Sequence, residues 1–274
     1  PFAAPRTRNA LIEQVRSGPA GSHSRYGNRM EVRLDSTENL PDWEAVLRAA
    51  QESVCIEMYI FAPDEFGRRI RAILLDKLAK GVKVALVYDW LGSLNAHVRG
   101  FFKPLIEAGA EVRPYNPPAW TAGIGLFSRN HRKSLIIDEH TAFVSGLCIS
   151  AAWNGKPAKG IEAWRDTGLA LQGPIVQDVL AAFEDTLISQ GGTMPPLKRY
   201  ENEDAMPAGS TRARVLATTP ANINTMRLDL NIIGLATQNL WITDAYFMPT
   251  RMYVQALINA DQAGVDVRML VPPN

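Results

Sequence analysis

One pattern constrains this chain more than any other: a strand–helix–strand segment occurs twice. ESVCIEMYIF (52–61) returns as QNLWITDAYF (238–247), and GVKVALV (81–87) returns as GVDVRML (264–270). Val54 matches Leu240, Ile56 matches Ile242 and Phe61 matches Phe247, each 186 positions on, while Gly81 matches Gly264 at an offset of 183. A helical stretch separates the two strands in both copies. Two strands and a helix in one order, sharing a Gly-Val-x-Val signature, indicate an internal duplication of an α/β unit.

The local signals fill in the first copy. Pro41-Asp42-Trp43-Glu44 reads as a helix start, with Pro early and acids in the first turn, running to Glu52. SVCIEMYIF (53–61) reads as an apolar strand. A helix over 65–80 gathers Phe66, Ile70, Ile73, Leu74 and Leu78 on one face and stops at Gly81. VKVALVYD (82–89) is a second strand, a helix spans 97–108, and EVRPY (111–115) is extended. Alternation of this kind predicts a layered α/β domain with a largely parallel sheet. Residues 191–210 hold glycines, prolines and charge with no periodicity, and read as a linker. The expected organisation is a basic N-terminal arm (1–35), a first half (36–190), the linker (191–210) and the start of a second half (211–274).

Charge and composition exclude several classes. Lys plus Arg number 29 and Asp plus Glu 28, so the net charge of +1 leaves no global footprint for nucleic acid. Cys55 and Cys148 sit in apolar runs and are too few for a disulfide framework or a Cys-based zinc site. His23, His97 and His140 are scattered, so neither a metal nor a cofactor is expected. No run approaches the roughly 18 apolar residues that cross a bilayer. The N-terminal stretch carries Arg6, Arg8, Arg16, Arg25 and Arg29 against Glu13, an arm suited to anionic lipid headgroups. The loop 114–130, with Trp120, Ile124, Leu126 and Phe127, either packs inward or meets acyl chains.

The chemistry concentrates in SRNHRKSLIIDEHTAFVSGLCIS (128–150), which reads as strand, tight turn and strand. Side chains alternate along an extended segment, so His131 and Lys133 point to one face and form a compact anion site. Asp138 has the opposite parity and is expected to hold the turn. HRKSLIID followed by an apolar strand and Ser-Gly resembles the His-x-Lys-x4-Asp motif of the phospholipase D superfamily. EMYIFAPDEFGRRI, WRDTGLALQGPIVQDVLAAF and ITDAYFMP resemble its cardiolipin synthase-like bacterial branch, over roughly residues 40–274.

That resemblance implies an α-β-α layered fold of two duplicated halves, each contributing one motif to a shared site. One histidine attacks phosphorus and forms a phosphohistidine, and the other protonates the leaving alcohol and then activates the acceptor. Carried over, His131 is the nucleophile and Lys133 the clamp on the phosphoryl oxygens, with no metal required. Asp138 completes the motif, and Asp166 in WRDTG is the carboxylate expected to orient the imidazole. Ser145, Gly146 and Cys148 stand where the family places phosphate contacts. Cys148 replaces an asparagine, which puts one such contact in doubt. Tyr59 and Tyr246 occupy nearby strand ends in the two halves and are candidates to line the pocket, although either also suits a core position.

A second His-x-Lys is absent. His131 lies 50 residues after Gly81, and the same distance after Gly264 passes Asn274, so the second half is read as incomplete. The partner motif is expected from the rest of the chain, with a homodimer as the competing arrangement. The expected activity is transfer of a phosphatidyl group from phosphatidylglycerol or a similar lipid to an alcohol or water, at the cytoplasmic face of a bacterial membrane with no transmembrane segment. A nuclease or other phosphodiesterase is the alternative, and a non-catalytic lipid-binding relative the second.

Overall fold

The computed structural model describes residues 22–118, 128–155, 157–197, 207–219, 223–244 and 246–271. They divide into two compact units: a first from Arg25 to Ala213, and a second that includes Arg214 onward.

The first unit is built on an eight-stranded sheet. Its strands are β1 (Arg25–Leu34), β2 (Ser53–Met58), β3 (Lys83–Asp89), β4 (Glu111–Tyr115), β5 (Lys133–Ile137), β6 (Thr141–Ser145), β7 (Thr167–Gln172) and β8 (Thr211–Ala213). They lie in the order β4-β3-β2-β5-β6-β7-β1-β8. Helices α1 (Asp35–Ala49), α2 (Glu65–Ala79), α3 (Leu94–Val98), α4 (Lys103–Glu107) and α5 (Ile175–Ser189) complete the unit.

Only β2, β3 and β4 run parallel; from β5 to β8 every pairing is antiparallel. The expectation of a largely parallel sheet is corrected here. A crossover helix enforces parallel pairing only where strands and helices alternate, which ends at β4. The β5–β6 turn places Asp138 (φ 50) and Glu139 (φ 60) in the left-handed region and reverses the chain at once.

Alternation along β2 and β3 divides two cores. Val54, Ile56, Met58, Val84 and Leu86 join Trp43 and Leu47 of α1, Ile70 and Leu74 of α2 and Leu105 of α4 in one buried cluster. Cys55, Glu57, Ala85 and Val87 are buried on the other face, where α5 packs with Val176, Val179, Leu180, Phe183 and Leu187 inward. Every residue of β2 is therefore buried, as expected of a strand covered on both faces.

Several boundaries move. β1 occupies Arg25–Leu34, inside the stretch read as a basic arm. Its arginines are partnered within the fold: Arg25 grips Asp178 of α5 at 2.7–2.9 Å, and Arg33 reaches Asp42 at 2.6 Å. α1 starts at Asp35 and carries Pro41 inside it, because contacts from outside the helix hold its first turn. The Asp35 N–H donates to the Asp166 carbonyl (2.8 Å), and the buried Asn39 amide donates to the Arg33 and Asp35 carbonyls. The helix expected over 97–108 is two short ones, and β8 pairs with β1, so residues 211–213 belong to the first unit.

The second unit contains α6 (Asn224–Leu235), β9 (Asn239–Thr243), α7 (Arg251–Gln262) and β10 (Asp266–Leu270). β9 and β10 pair in parallel around a small core of Ile233, Leu257, Ala260 and Val265. Element by element this repeats α1-β2-α2-β3. In the first unit Ser53 pairs with Lys83, and in the second Asn239 pairs with Asp266, at the two offsets of the sequence repeat. Side chains cap both crossover helices at matching positions, Asp64 on α2 and Thr250 on α7. Gly81 (φ 85) and Gly264 (φ 89) end them in a conformation that favours glycine.

Candidate active site

β5 lies between β2 and β6 in the middle of the sheet, and its first residue is Lys133. Lys133 pairs with Met58 on β2 and is only 5% exposed. Its ammonium donates to the His131 carbonyl oxygen at 2.6 Å and lies 3.1 Å from His131 Nδ1. The two side chains therefore meet, although His131 itself precedes the strand and is exposed. Tyr59 closes one side: its ring centroid is 4.5 Å from that of His131, and Lys133 Nζ stands 5.2 Å from it.

The buried ammonium and the partial desolvation of the ring set the electrostatics. Desolvation, reinforced by the Lys133 charge, holds the His131 imidazole below its ordinary value, against an upward pull from Asp89 and Asp166. Desolvation also lowers Lys133, with Asp166 pulling it back. A neutral imidazole beside a cation is the form able to attack an electrophile.

Asp166 stands just before β7, and its carboxylate lies against Gly146: a Cβ at that glycine would fall 1.9 Å from Asp166 Oδ1. Glycine at 146 is thus a steric requirement of the acid. The Asp166 N–H donates to Asp35 Oδ1 (3.0 Å), and its own Oδ1 accepts from the Thr167 N–H (2.8 Å). Ser145 donates its hydroxyl to the Leu147 carbonyl at 3.2 Å. Cys148 is fully buried, and desolvation pushes its thiol up to about 11.

Asp138 is at the opposite end of β5 from His131. Its carboxylate accepts the backbone N–H groups of Gln51, Glu52 and Ser53 at 2.8–3.2 Å. These bonds fasten the β5–β6 turn to the junction between α1 and β2. Tyr246 belongs to the second unit, where it is exposed. Residues 119–127 of the apolar loop and Arg6, Arg8 and Arg16 of the basic arm lie outside the described residues. Among the described residues no group of three or more His, Cys, Asp or Glu side chains could hold a metal ion.

Three polar residues beneath His131 escaped the sequence reading. Asn130 donates its N–H to Asp89 Oδ2 (2.9 Å) and its side-chain amide to Glu57 Oε1 (2.7 Å), and all three are buried. Their signal was an acid inside each of the apolar strands SVCIEM and KVALVYD, where burial is costly without a partner.

Residues 44–155 match a family model described as the phospholipase D-like domain of cardiolipin synthase. Cardiolipin synthase A of Pseudomonas fluorescens (strain SBW25) is 33% identical over 229 residues, covering 82% of this chain and 47% of that one. The chain belongs to the phospholipase D superfamily. A probable cardiolipin synthase of Bacillus subtilis (strain 168) is 31% identical over 259 residues, covering 89% of this chain and 49% of its own. The chain spans about half the length of the curated relatives it matches. The fold agrees: the crystal structure of phosphatidylserine synthase from Haemophilus influenzae Rd KW20 superposes with a TM-score of 0.65 over 94% of this chain and 65% of that one, at 14% identity.

Proposed function

We propose that this phospholipase D-like chain takes part in phosphatidyl transfer or phospholipid hydrolysis, with His131 as nucleophile. The contact between the Lys133 ammonium and the His131 imidazole carries the reading. In the first step the imidazole nitrogen bonds to phosphorus and the P–O bond to the departing alcohol breaks. Lys133 turns from the His131 carbonyl to a phosphoryl oxygen and neutralises its charge, a task that a metal performs elsewhere. Asp166 lies close enough to favour the charged imidazole electrostatically and is assigned to its orientation. The leaving alcohol takes its proton from a second imidazole, supplied by a matching motif in the second half of the full-length protein, with another copy of the chain as the competing source. That same imidazole then removes a proton from the incoming water or alcohol, whose oxygen displaces His131.

The substrate class follows from the curated relatives, whose names are those of cardiolipin synthases. Phosphatidylglycerol is the assigned donor, and a second phosphatidylglycerol or water the acceptor. No helix among the described residues is long and apolar enough to cross a membrane, and the proposed setting is peripheral contact with an anionic cytoplasmic surface. The full-length protein mixed with phosphatidylglycerol vesicles should release cardiolipin and glycerol, or phosphatidic acid, without added metal. Cleavage of DNA with no turnover of phospholipid would overturn the reading.

A further inference from the structure

We propose that Asn130, locked between the buried carboxylates of Glu57 and Asp89, is a positioning residue that fixes His131 for attack. The inference rests on the assignment of His131 as nucleophile. His131 lies outside β5, whose ladder begins at Lys133. A residue beyond the ladder retains backbone freedom unless something else holds it. The residue before it supplies that hold from two strands at once.

Asn130 engages its backbone N–H and both ends of its side-chain amide. Its N–H goes to Asp89 at the end of β3, and its side-chain amide to Glu57 on β2. Its Oδ1 accepts the Arg132 N–H at 3.1 Å, bridging across His131. Residues 130 and 132 are thereby tied to each other, with the imidazole-bearing residue between them. The anchors are themselves fixed. Asp89, 0% exposed, also accepts the N–H groups of Leu91 and Gly92 at 3.0 and 2.9 Å, and faces Arg129 at 3.4 Å. Glu57, 1% exposed, faces the Arg132 guanidinium at 3.7 Å. Arg132 in turn donates to the Ala182 carbonyl and the Thr186 hydroxyl of α5. Buried acids that are fully partnered give a rigid support, and a displacement of about 1 Å at a reacting group costs on the order of 100-fold in rate.

Asp89 also acts on the imidazole through its charge. The charged groups that act on His131 are Lys133, which lowers its proton affinity, and Asp89 and Asp166, which raise it. A support that served stability alone would leave the titration of His131 and the balance of kcat and KM where they were.

The test compares Asn130→Ala, Asp89→Asn and His131→Asn in the full-length protein turning over phosphatidylglycerol. Folded Asn130→Ala should lose about 10- to 100-fold in kcat with KM within about twofold. Should it not fold, Asn130→Ser, which also drops the Glu57 bond, carries the same expectation. In Asp89→Asn the imidazole of His131, followed by NMR, should titrate at lower pH than in the unmodified protein. Full kcat in folded Asn130 variants, with an unmoved His131 titration in Asp89→Asn, would overturn the clamp while an inactive His131→Asn left the nucleophile in place. An active His131→Asn would instead remove the reading on which the clamp rests.

Discussion

At the scale of single residues the site sets an imidazole against a buried ammonium. Lys133 is buried against Tyr59, and its ammonium reaches His131 Nδ1, so protonating the imidazole would set charge against charge at a buried ammonium. The folded-state value of His131 is therefore depressed, by desolvation first and by Lys133 second. Attack requires the neutral ring, so the acid limb of kcat/KM, which reports the free enzyme, should fall below the ordinary imidazole value of about 6.5. The same depression has a stability sign. Between the ordinary and the lowered value the unfolded chain binds more protons, so acidification through that window destabilises the fold. Lys133→Ala should lower kcat about 100- to 1,000-fold and move the acid limb upward, because the repelling charge is gone. A pH–rate profile of the variant with an unmoved or lowered limb would contradict this coupling.

At the scale of elements, the hairpin β5–β6 is fastened to the rest of the sheet from its turn. Asp138 accepts three consecutive backbone N–H groups at the start of β2, and its own N–H returns to the Ser53 carbonyl at 2.9 Å. Asp138→Ala should leave those donors without their carboxylate and cost about 1–3 kcal/mol, read as a drop of several degrees in Tm, while turnover per folded molecule stays near that of the unmodified protein. A large loss of kcat at unchanged Tm would instead place this aspartate in the chemistry. The hairpin was legible in the sequence, since apolar runs flank a polar turn, and EVRPY coincides with β4. β2, α2 and β3 agreed within one to three residues at their ends for the same reason: their periodicity is strong and their caps are local. β1 was missed because its arginines read as a solvated arm, whereas Arg33 and Arg25 pair with carboxylates 9 and 153 positions away. The start of α1 was missed because Asp35, Asn39 and Asp166 hold it across the fold, beyond any local pattern.

At the scale of the whole molecule, an internal duplication organises the chain. The order α1-β2-α2-β3 recurs as α6-β9-α7-β10, with matching caps and matching register. The repeat and the His-x-Lys pair were both readable from spacing. The acids that support the pair were not, because a buried Glu57 or Asp89 shows its partners only once strands distant in sequence lie side by side. A net charge of +1 gives no general attraction to polyanions, so selectivity must come from the site and the surfaces beside it. The claim on which the account turns is a bond between phosphorus and the imidazole at position 131. Full-length protein quenched during turnover of phosphatidylglycerol labelled at the phosphorus should carry acid-labile label on His131, and His131→Asn should carry none and form no product. Label retained by His131→Asn, or turnover undiminished in it, would contradict the account.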